Sequence, residues 1–271
     1  MVDDASNDGS QDLIKKEFKK IKLITNKKNL GFGKTVNLGV EESSGDLVLL
    51  LNSDVSPRKD CLKAAITHFK DQKVFAVGLT DFSHENGKVI KRGRGGGSFK
   101  KGFLNHYKDE ITSGETFWVS GGSGLFVKKL FLDLGGFDPV YAPFYWEDID
   151  LSFRARLLGY ICLFEPNSKV DHYHEEGAIK KTKRAFEIKT ISYRNQFIFV
   201  WKNISDPLLI LEHLVYLPYH FVKALAQKDG AFFLGFAKAL AKIPQIVENP
   251  QYQVTKKVVP ERVIFEKFKK P

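Results

Sequence analysis

Cysteine is scarce: Cys61 and Cys162 are the only two, and they lack a CxxC spacing. That excludes a disulfide framework and fits a reducing compartment. Met1 is followed by Val-Asp-Asp, with neither a basic nor an apolar leader, so no signal peptide is expected. No repeat, low-complexity tract, GxGxxG or Walker loop is present. The apolar stretch 207–222 is interrupted by Glu212, His213 and His220. It falls short of the roughly 20 uninterrupted apolar residues of a spanning helix. Amphipathic helices lying on a membrane or packing on the domain are expected there instead. Acidic residues are outnumbered, 32 against 42 Lys plus Arg, for a net charge of +10. Nucleic acid, anionic lipid and phosphorylated substrates are the partners such a balance admits. The lysines are scattered (Lys15, Lys16, Lys19, Lys20) and no nucleic-acid motif accompanies them, so nucleic acid is not expected.

What is present is enough for a large core: 271 residues, 43% of them apolar, with 23 Phe. The size suits one domain, or a domain with an appendage. Charged residues at 27% and a mean hydropathy of -0.24 exclude a multi-span membrane protein and a wholly disordered chain. Short apolar runs alternate with helical patterns in the first half. Asp46-Leu-Val-Leu-Leu-Leu51 is an unbroken run ending in Asn52-Ser53-Asp54, as in a strand buried on both faces of a parallel sheet. A helix carrying Leu62, Ala65, Ile66 and Phe69 and a strand at Val74-Phe-Ala-Val-Gly78 follow. This order predicts an α/β doubly wound sheet with ligands at the carboxyl ends of its strands. Residues 80–117, with Arg92-Gly-Arg-Gly-Gly-Gly-Ser98, read as a loop or hairpin insertion able to fold over phosphates. A helix at 147–158 precedes a strand at Ile161-Cys-Leu-Phe164, and helical periodicity dominates beyond about Lys180.

Several residues have the chemistry of a site. Asp54, just past a buried strand, could hold Mg²⁺ or Mn²⁺ on a diphosphate; taken alone, Asn52-Ser53-Asp54-Val55 is equally an ordinary turn. Tyr145-Trp146-Glu147-Asp148-Ile149-Asp150 places three carboxylates at a helix start, where the macrodipole favours their ionised forms. An ionised Asp beside aromatics that pack on a sugar suits a general base; an acidic first turn without chemistry is the plainer alternative. Asp150 and Arg154 are spaced to pair on the helix surface. His172 and His174 share a face if their segment is a strand, and imidazole is a common ligand for Mn²⁺; a structural role suits either equally well. Asp3 lies at the end of a short strand, before a turn. Asn29-Leu-Gly-Phe-Gly33, with Asn37 and Gly39, is a glycine-containing loop entering a helix.

Taken in order, these pieces resemble the family 2 glycosyltransferases, which have the nucleotide-diphospho-sugar-binding GT-A fold. Val2 to Ser10 resembles a VDNxSxDGS stretch, Asn29 to Gly39 an NxGFxxxxNxG stretch, and Asn52-Ser53-Asp54 a DxD motif with Asn in first place. Gly135-Gly-Phe-Asp138 through Glu147-Asp148, Asp150-Leu151 and Arg154 is similar to the rhamnosyl- and galactofuranosyl-type branch. Val170-Asp-His172 resembles a VxH element, and Tyr193-Arg194-Asn195 with Trp201-Lys202-Asn203 a helix that follows the catalytic one. The resemblance implies a GT-A domain at 1–180, lacking the strand that usually precedes Val2-Asp3, and an amphipathic helical region at 181–271. It implies a metal-dependent inverting transfer to a hydroxyl of a glycan or lipid-linked acceptor, in cell-surface polysaccharide synthesis. The protein would be cytoplasmic, peripheral on the inner face of the cell membrane, with an anionic membrane surface as a further partner. Asp148 takes the role of base, with Glu147 beside it. Asp3, Asn29, Gly31, Asn37, Asn52, Asp54 and Trp146 fall to the nucleotide-sugar. Asp54, His172 and His174 fall to a divalent cation, Mn²⁺ or Mg²⁺. The alternative is a catalytically inert GT-A-fold protein that binds sugar nucleotides or acts as a scaffold.

Overall fold

The computed structural model describes residues 1–173 and 185–269. In chain order the strands are β1 (Val2–Asp3), β2 (Ile24–Thr25), β3 (Leu47–Leu51), β4 (Val55–Pro57), β5 (Val74–Glu85), β6 (Lys88–Arg92), β7 (Gly95–Lys100), β8 (Phe103–Lys108), β9 (Gly114–Glu115), β10 (Ser123–Val127) and β11 (Ile161–Tyr173). A seven-stranded sheet runs β3-β10-β5-β11-β4, with β6 added on β5 and β9 on β11. It is mixed: β5 and β11 are parallel, while β10 is antiparallel to both of its neighbours. β1 and β2 form a separate parallel pair.

The unbroken run of β3 does not lie in the middle of a parallel sheet as its composition predicts. It pairs antiparallel with β10 at the end of the strand order. Both its faces nevertheless meet apolar neighbours, Val48 and Leu50 one cluster, Leu47 and Leu49 another, which is why no polar residue alternates. The 62–69 segment is a turn followed by a 3-10 helix, Ala65–Lys70, that leaves Ile66 exposed.

Of the loop or hairpin expected at 80–117, hairpins are what form there. β5 continues to Glu85 and turns into β6, and β7 pairs with β8. Its glycines make room for rings. A Cβ on Gly95 would lie 2.2 Å from Trp118, one on Gly96 2.3 Å from Tyr107, and one on Gly97 2.8 Å from Phe117. Such distances leave no space for a side chain, so glycine here marks aromatic packing and not phosphate binding. Arg92 is bonded to Glu85 through two nitrogens, at 2.7 and 2.8 Å, and Arg94 to Thr112 and the Glu115 carbonyl.

The largest apolar cluster joins the hairpin, the helix Glu147–Leu157 and the C-terminal helices, with Phe103, Phe117, Phe153, Phe197, Phe199 and Phe265 at its centre. The expected boundary at 180 falls outside the described residues. Beyond it come helices Ala185–Asn203, Pro207–Ala226, Gly230–Leu240, Ile243–Glu248 and Glu261–Lys267. Pro207–Ala226 corrects the expectation for that stretch: with 20 residues and a mean hydropathy of 1.2 it is long and apolar enough to cross a membrane, by length and composition. The residues that interrupt the run are taken up by the turn between β7 and β8. Glu212 accepts from the Gly102 N–H, His213 bonds the Gly102 carbonyl, and His220 bonds the Lys101 carbonyl.

Candidate active site

The N-terminal loops are organised by two adjacent carboxylates. Asp3, buried, accepts from the Ser6 N–H at 3.1 Å and the Gln11 amide at 2.8 Å. Asp4 accepts from the N–H groups of Leu30 and Gly31, at 2.8 and 2.9 Å, and from the Asn26 amide. Gly31 has φ +82°, a conformation that favours glycine. Its absent Cβ would lie 3.6 Å from the Pro143 carbonyl, which brings this loop against residues 142–143. Asn37 is a tie between elements: its amide donates to the Phe137 carbonyl and accepts from the Phe137 N–H, both at 2.8 Å.

The turn Ser120-Gly121-Gly122 bridges two of the motifs. The Gly122 carbonyl accepts from the Asn52 N–H at 3.0 Å, and the Gly121 N–H donates to Asp148 Oδ2 at 3.2 Å. A Cβ would lie 2.9 Å from the Phe137 ring at Gly121 and 2.7 Å from the Asn52 amide at Gly122, so a side chain at either would displace its neighbour.

The three carboxylates that open helix Glu147–Leu157 have three different surroundings. Asp150 is fully buried and accepts from Tyr141, Arg154, Lys202 and Asn203 at 2.8–2.9 Å. The pairing with Arg154 is therefore internal, not on the helix surface. Burial would raise the Asp150 pKa, but Lys202 and Arg154 outweigh it and hold it at about 2. Glu147 is also buried, and among the described residues its Oε2 has no hydrogen-bond partner. Burial, with the Asp148 charge beside it, raises its pKa to about 8. At neutral pH this carboxyl keeps its proton, so desolvation overrides the macrodipole that favours ionisation. Asp148 is only half-buried. Burial raises its pKa too, against the N–H groups of Gly121 and Ile149 that bond its carboxylate.

The preceding loop is held from the far side by helix Ala185–Asn203. The Asn195 amide donates to the carbonyls of Tyr141, Phe144 and Tyr145, and Arg194 donates to those of Tyr141 and Ala142. This fixation sustains two successive left-handed residues, Tyr145 (φ 71°) and Trp146 (φ 78°). Trp146 turns inward, 4% exposed, beside Phe199 and His106. It is a core residue and not the sugar platform the sequence predicts; Tyr145 is the exposed ring.

A second polar group lies across β4, β5 and β11. His172 Nδ1 is 2.7 Å from Asp81 Oδ2, and its Nε2 is 3.4 Å from Asp54 Oδ1. Burial would lower the His172 pKa, yet its bonds to Asp54 and Asp81 raise it to about 9. Among the described residues no group of three or more His, Cys, Asp or Glu is arranged to hold a metal ion. The pair Asp54 and His172 has the donor chemistry for two ligands of a divalent cation. Asp81 on Nδ1 is the carboxylate that usually orients a ligating imidazole. His174 lies outside the described residues.

Residues 1–134 match the family described as "Glycosyl transferase family 2". Over that stretch, just under half of its length, the chain is similar to that family. The match ends before Glu147, so the roles of the helix Glu147–Leu157 rest on the geometry above. No curated protein sequence matches the chain. Its GT-A fold is shared with GalNAc-T7, solved with UDP, GalNAc and Mn²⁺, at TM-score 0.56 and 17% identity over 74% of this chain and 41% of that one. The mannosyltransferase PcManGT from Pyrobaculum calidifontis, with GDP-Man and Mn²⁺, aligns at TM-score 0.52 and 17% identity over 90% of this chain and 65% of its own. S. aureus TarS 1–349 in complex with UDP-GlcNAc aligns at TM-score 0.53 and 18% identity, covering 93% and 68%. The chain thus spans less than two thirds of the first two.

The fold joins several of the sequence motifs by direct contacts. The 29–31 loop touches residues 142–143, Gly121 touches Asp148, and Gly122 touches Asn52. Asn37 and Trp146 serve packing instead. Sequence reasoning missed Asp4, Asp81 and the Gly121-Gly122 turn. The glycine pair ahead of a strand was a usable signal; Asp81 and Asp4 carried none, because only the fold brings them to His172 and the 30–31 backbone.

Proposed function

We propose that this chain is an inverting, metal-dependent glycosyltransferase. It moves a sugar from a nucleotide-diphospho donor to a hydroxyl of a glycan or lipid-linked acceptor in cell-surface polysaccharide synthesis. The observation that carries the reading is the contrast among the three carboxylates of one helical turn. Asp150 is ionised but saturated, Glu147 is buried and protonated, and only Asp148 combines a raised pKa with access to a ligand. A base needs both properties. Asp148 accepts the acceptor hydroxyl's proton while that oxygen attacks the anomeric carbon. The bond from that carbon to the diphosphate breaks on the opposite face, which inverts the configuration. The Gly121 and Ile149 N–H groups hold the carboxylate in place, and neutral Glu147 adds no second charge to repel it.

Asp3, Asn29 and Gly31 lie on the side assigned to the nucleotide, with Asn52 and Asp54 toward the diphosphate. Asp54 and His172 would hold Mn²⁺ or Mg²⁺, which supplies a counter-charge to the leaving diphosphate. Similarity to proteins solved with Mn²⁺ and UDP or GDP-Man supports this class of donor. The test is release of nucleoside diphosphate from UDP-, GDP- and dTDP-sugars in the presence of Mn²⁺. Parent protein releases it from one of them and Asp148→Asn does not; equal rates for the two proteins would remove Asp148 from the role of base.

A further inference from the structure

Helix Pro207–Ala226 is mostly apolar, yet only 17% of its most apolar window is buried. Leu209, His213 and Ala224 face inward. On the outer side Leu208, Leu211, Leu214, Val215, Val222 and Leu225 are each 56–70% exposed. Isolated exposed leucines are ordinary, but a continuous stripe of them along five turns marks a surface that is covered in use. Glu212, His213 and His220 face the turn between β7 and β8, which leaves the outward face to the apolar stripe.

The surroundings of the stripe indicate which cover it has. Tyr216 and Tyr219 are partly exposed at its margin, and the Lys101 ammonium lies 4.8 Å from the Tyr219 ring centre. Amphipathic rings with lysines beside an apolar stripe are the pattern of a membrane interface. Next to it opens a cavity of about 370 Å³, lined by Lys100, Lys101, His220, Lys223, Gln196 and Asp229 among others. The Asp229 carboxylate is already held by Lys189 at 2.8 Å and by the Tyr193 hydroxyl, so the lysines set the sign of the cavity. A second copy of the chain is a poorer fit, because helix seams carry charged flanks that select their partner, and here the flanks are Leu214 and Tyr219.

We infer that the outer face of helix Pro207–Ala226 docks on an anionic lipid surface and that the adjoining lysine-lined cavity receives a phosphate headgroup. Gln196 in the cavity follows Asn195, the residue that clamps the loop leading to Asp148. The docked lipid surface therefore adjoins the structure that positions the base. Docking needs no sugar donor, so its test is independent of the transfer reaction.

The test is co-sedimentation of the full chain, without donor, with vesicles of phosphatidylcholine alone or of phosphatidylcholine mixed equally with phosphatidylglycerol. Binding is expected on the mixed vesicles and much weaker binding on the neutral ones. Leu211→Glu with Val215→Glu and Val222→Glu should lower it at least about tenfold. Lys100→Gln, Lys101→Gln and Lys223→Gln should each lower it about fivefold on mixed vesicles only. All six sites are at the surface or the cavity wall, and an unchanged thermal melt certifies each variant's fold. Equal binding to both vesicle types overturns the headgroup site, and no binding to either overturns the docking. Concentration-dependent self-association of the parent, abolished by the three glutamates, would assign the face to a second copy and overturn the proposal as well.

Discussion

Two groups of carboxylates lie on either side of the 120–122 turn, and they are neutralised differently. Around Asp150 and Asp138, the cations Lys202 and Arg154 are themselves buried and locked, with Lys202 2.7 Å from Asp138 and 2.8 Å from Asp150. Around Asp54 and Asp81 a counter-charge among the described residues is His172, a titratable ring that is partly exposed. The first arrangement fixes the GGFD loop, the helix Glu147–Leu157 and the helix Ala185–Asn203 to one another. The second holds a proton on the His172 ring that a bound cation can replace. Ion pairs deep in a core act as rivets, whereas those at the rim of a cleft remain available to ligands.

The largest expected effect separates Asp148 from both groups. Asp148→Asn should lower the transfer rate about 10²–10⁴-fold while the melting temperature stays near that of the parent. A rate loss accompanied by unfolding would instead make Asp148 another rivet.

Next in size is Lys202→Met, which leaves Asp150 and Asp138 without their shared cation. Removing one partner of a buried pair costs about 3–5 kcal/mol, measurable by urea unfolding. Asp54→Asn at the half-open group should cost about 1 kcal/mol and weaken metal-dependent donor binding. Equal losses of stability in the two variants would abolish the distinction between the groups.

A pH experiment tests the third carboxyl. Glu147 has a pKa of about 8 in the folded chain against 4.5 as its ordinary value. Between those two pH values the folded state holds the extra proton, so stability falls as pH rises; below 4.5 both states are protonated and the slope vanishes. The slope is at most about 1.4 kcal/mol per pH unit. Glu147→Gln should reduce the slope by that share and leave the parts due to Asp148 and His172, as read from unfolding midpoints at a series of pH values.

The sequence showed much of this in outline and little of it in depth. The motif order 29–39, 52–54 and 135–154 was legible, because those stretches are local and each is tied to a turn. The burial of Asp150, Arg154 and Trp146 was not. An acidic, aromatic helix start reads as an exposed first turn until Lys202 and Asn203, some fifty residues later, close over it. The glycines at 95–97 misled for a related reason. A run of glycine looks like a flexible loop, and only the positions of Trp118, Tyr107 and Phe117 show that it is a strand with rings packed on it.

The smallest predicted effect lies on the turn between the two groups. Gly122 has a negative-φ backbone that any residue adopts, so a methyl group there meets only the Asn52 amide, 2.7 Å away. That amide is the end of a movable side chain, so Gly122→Ala should cost about 1 kcal/mol of stability or less. The displaced Asn52 precedes Asp54 by two residues, and the turn's preceding N–H, that of Gly121, holds Asp148. Affinity for donor with Mn²⁺ should therefore fall several-fold more than the stability change accounts for. Titrating donor into the variant, and into Gly122→Ala combined with Asn52→Ala, separates the causes. If shortening Asn52 fails to ease the clash, the turn does not couple the metal side to the base through that amide.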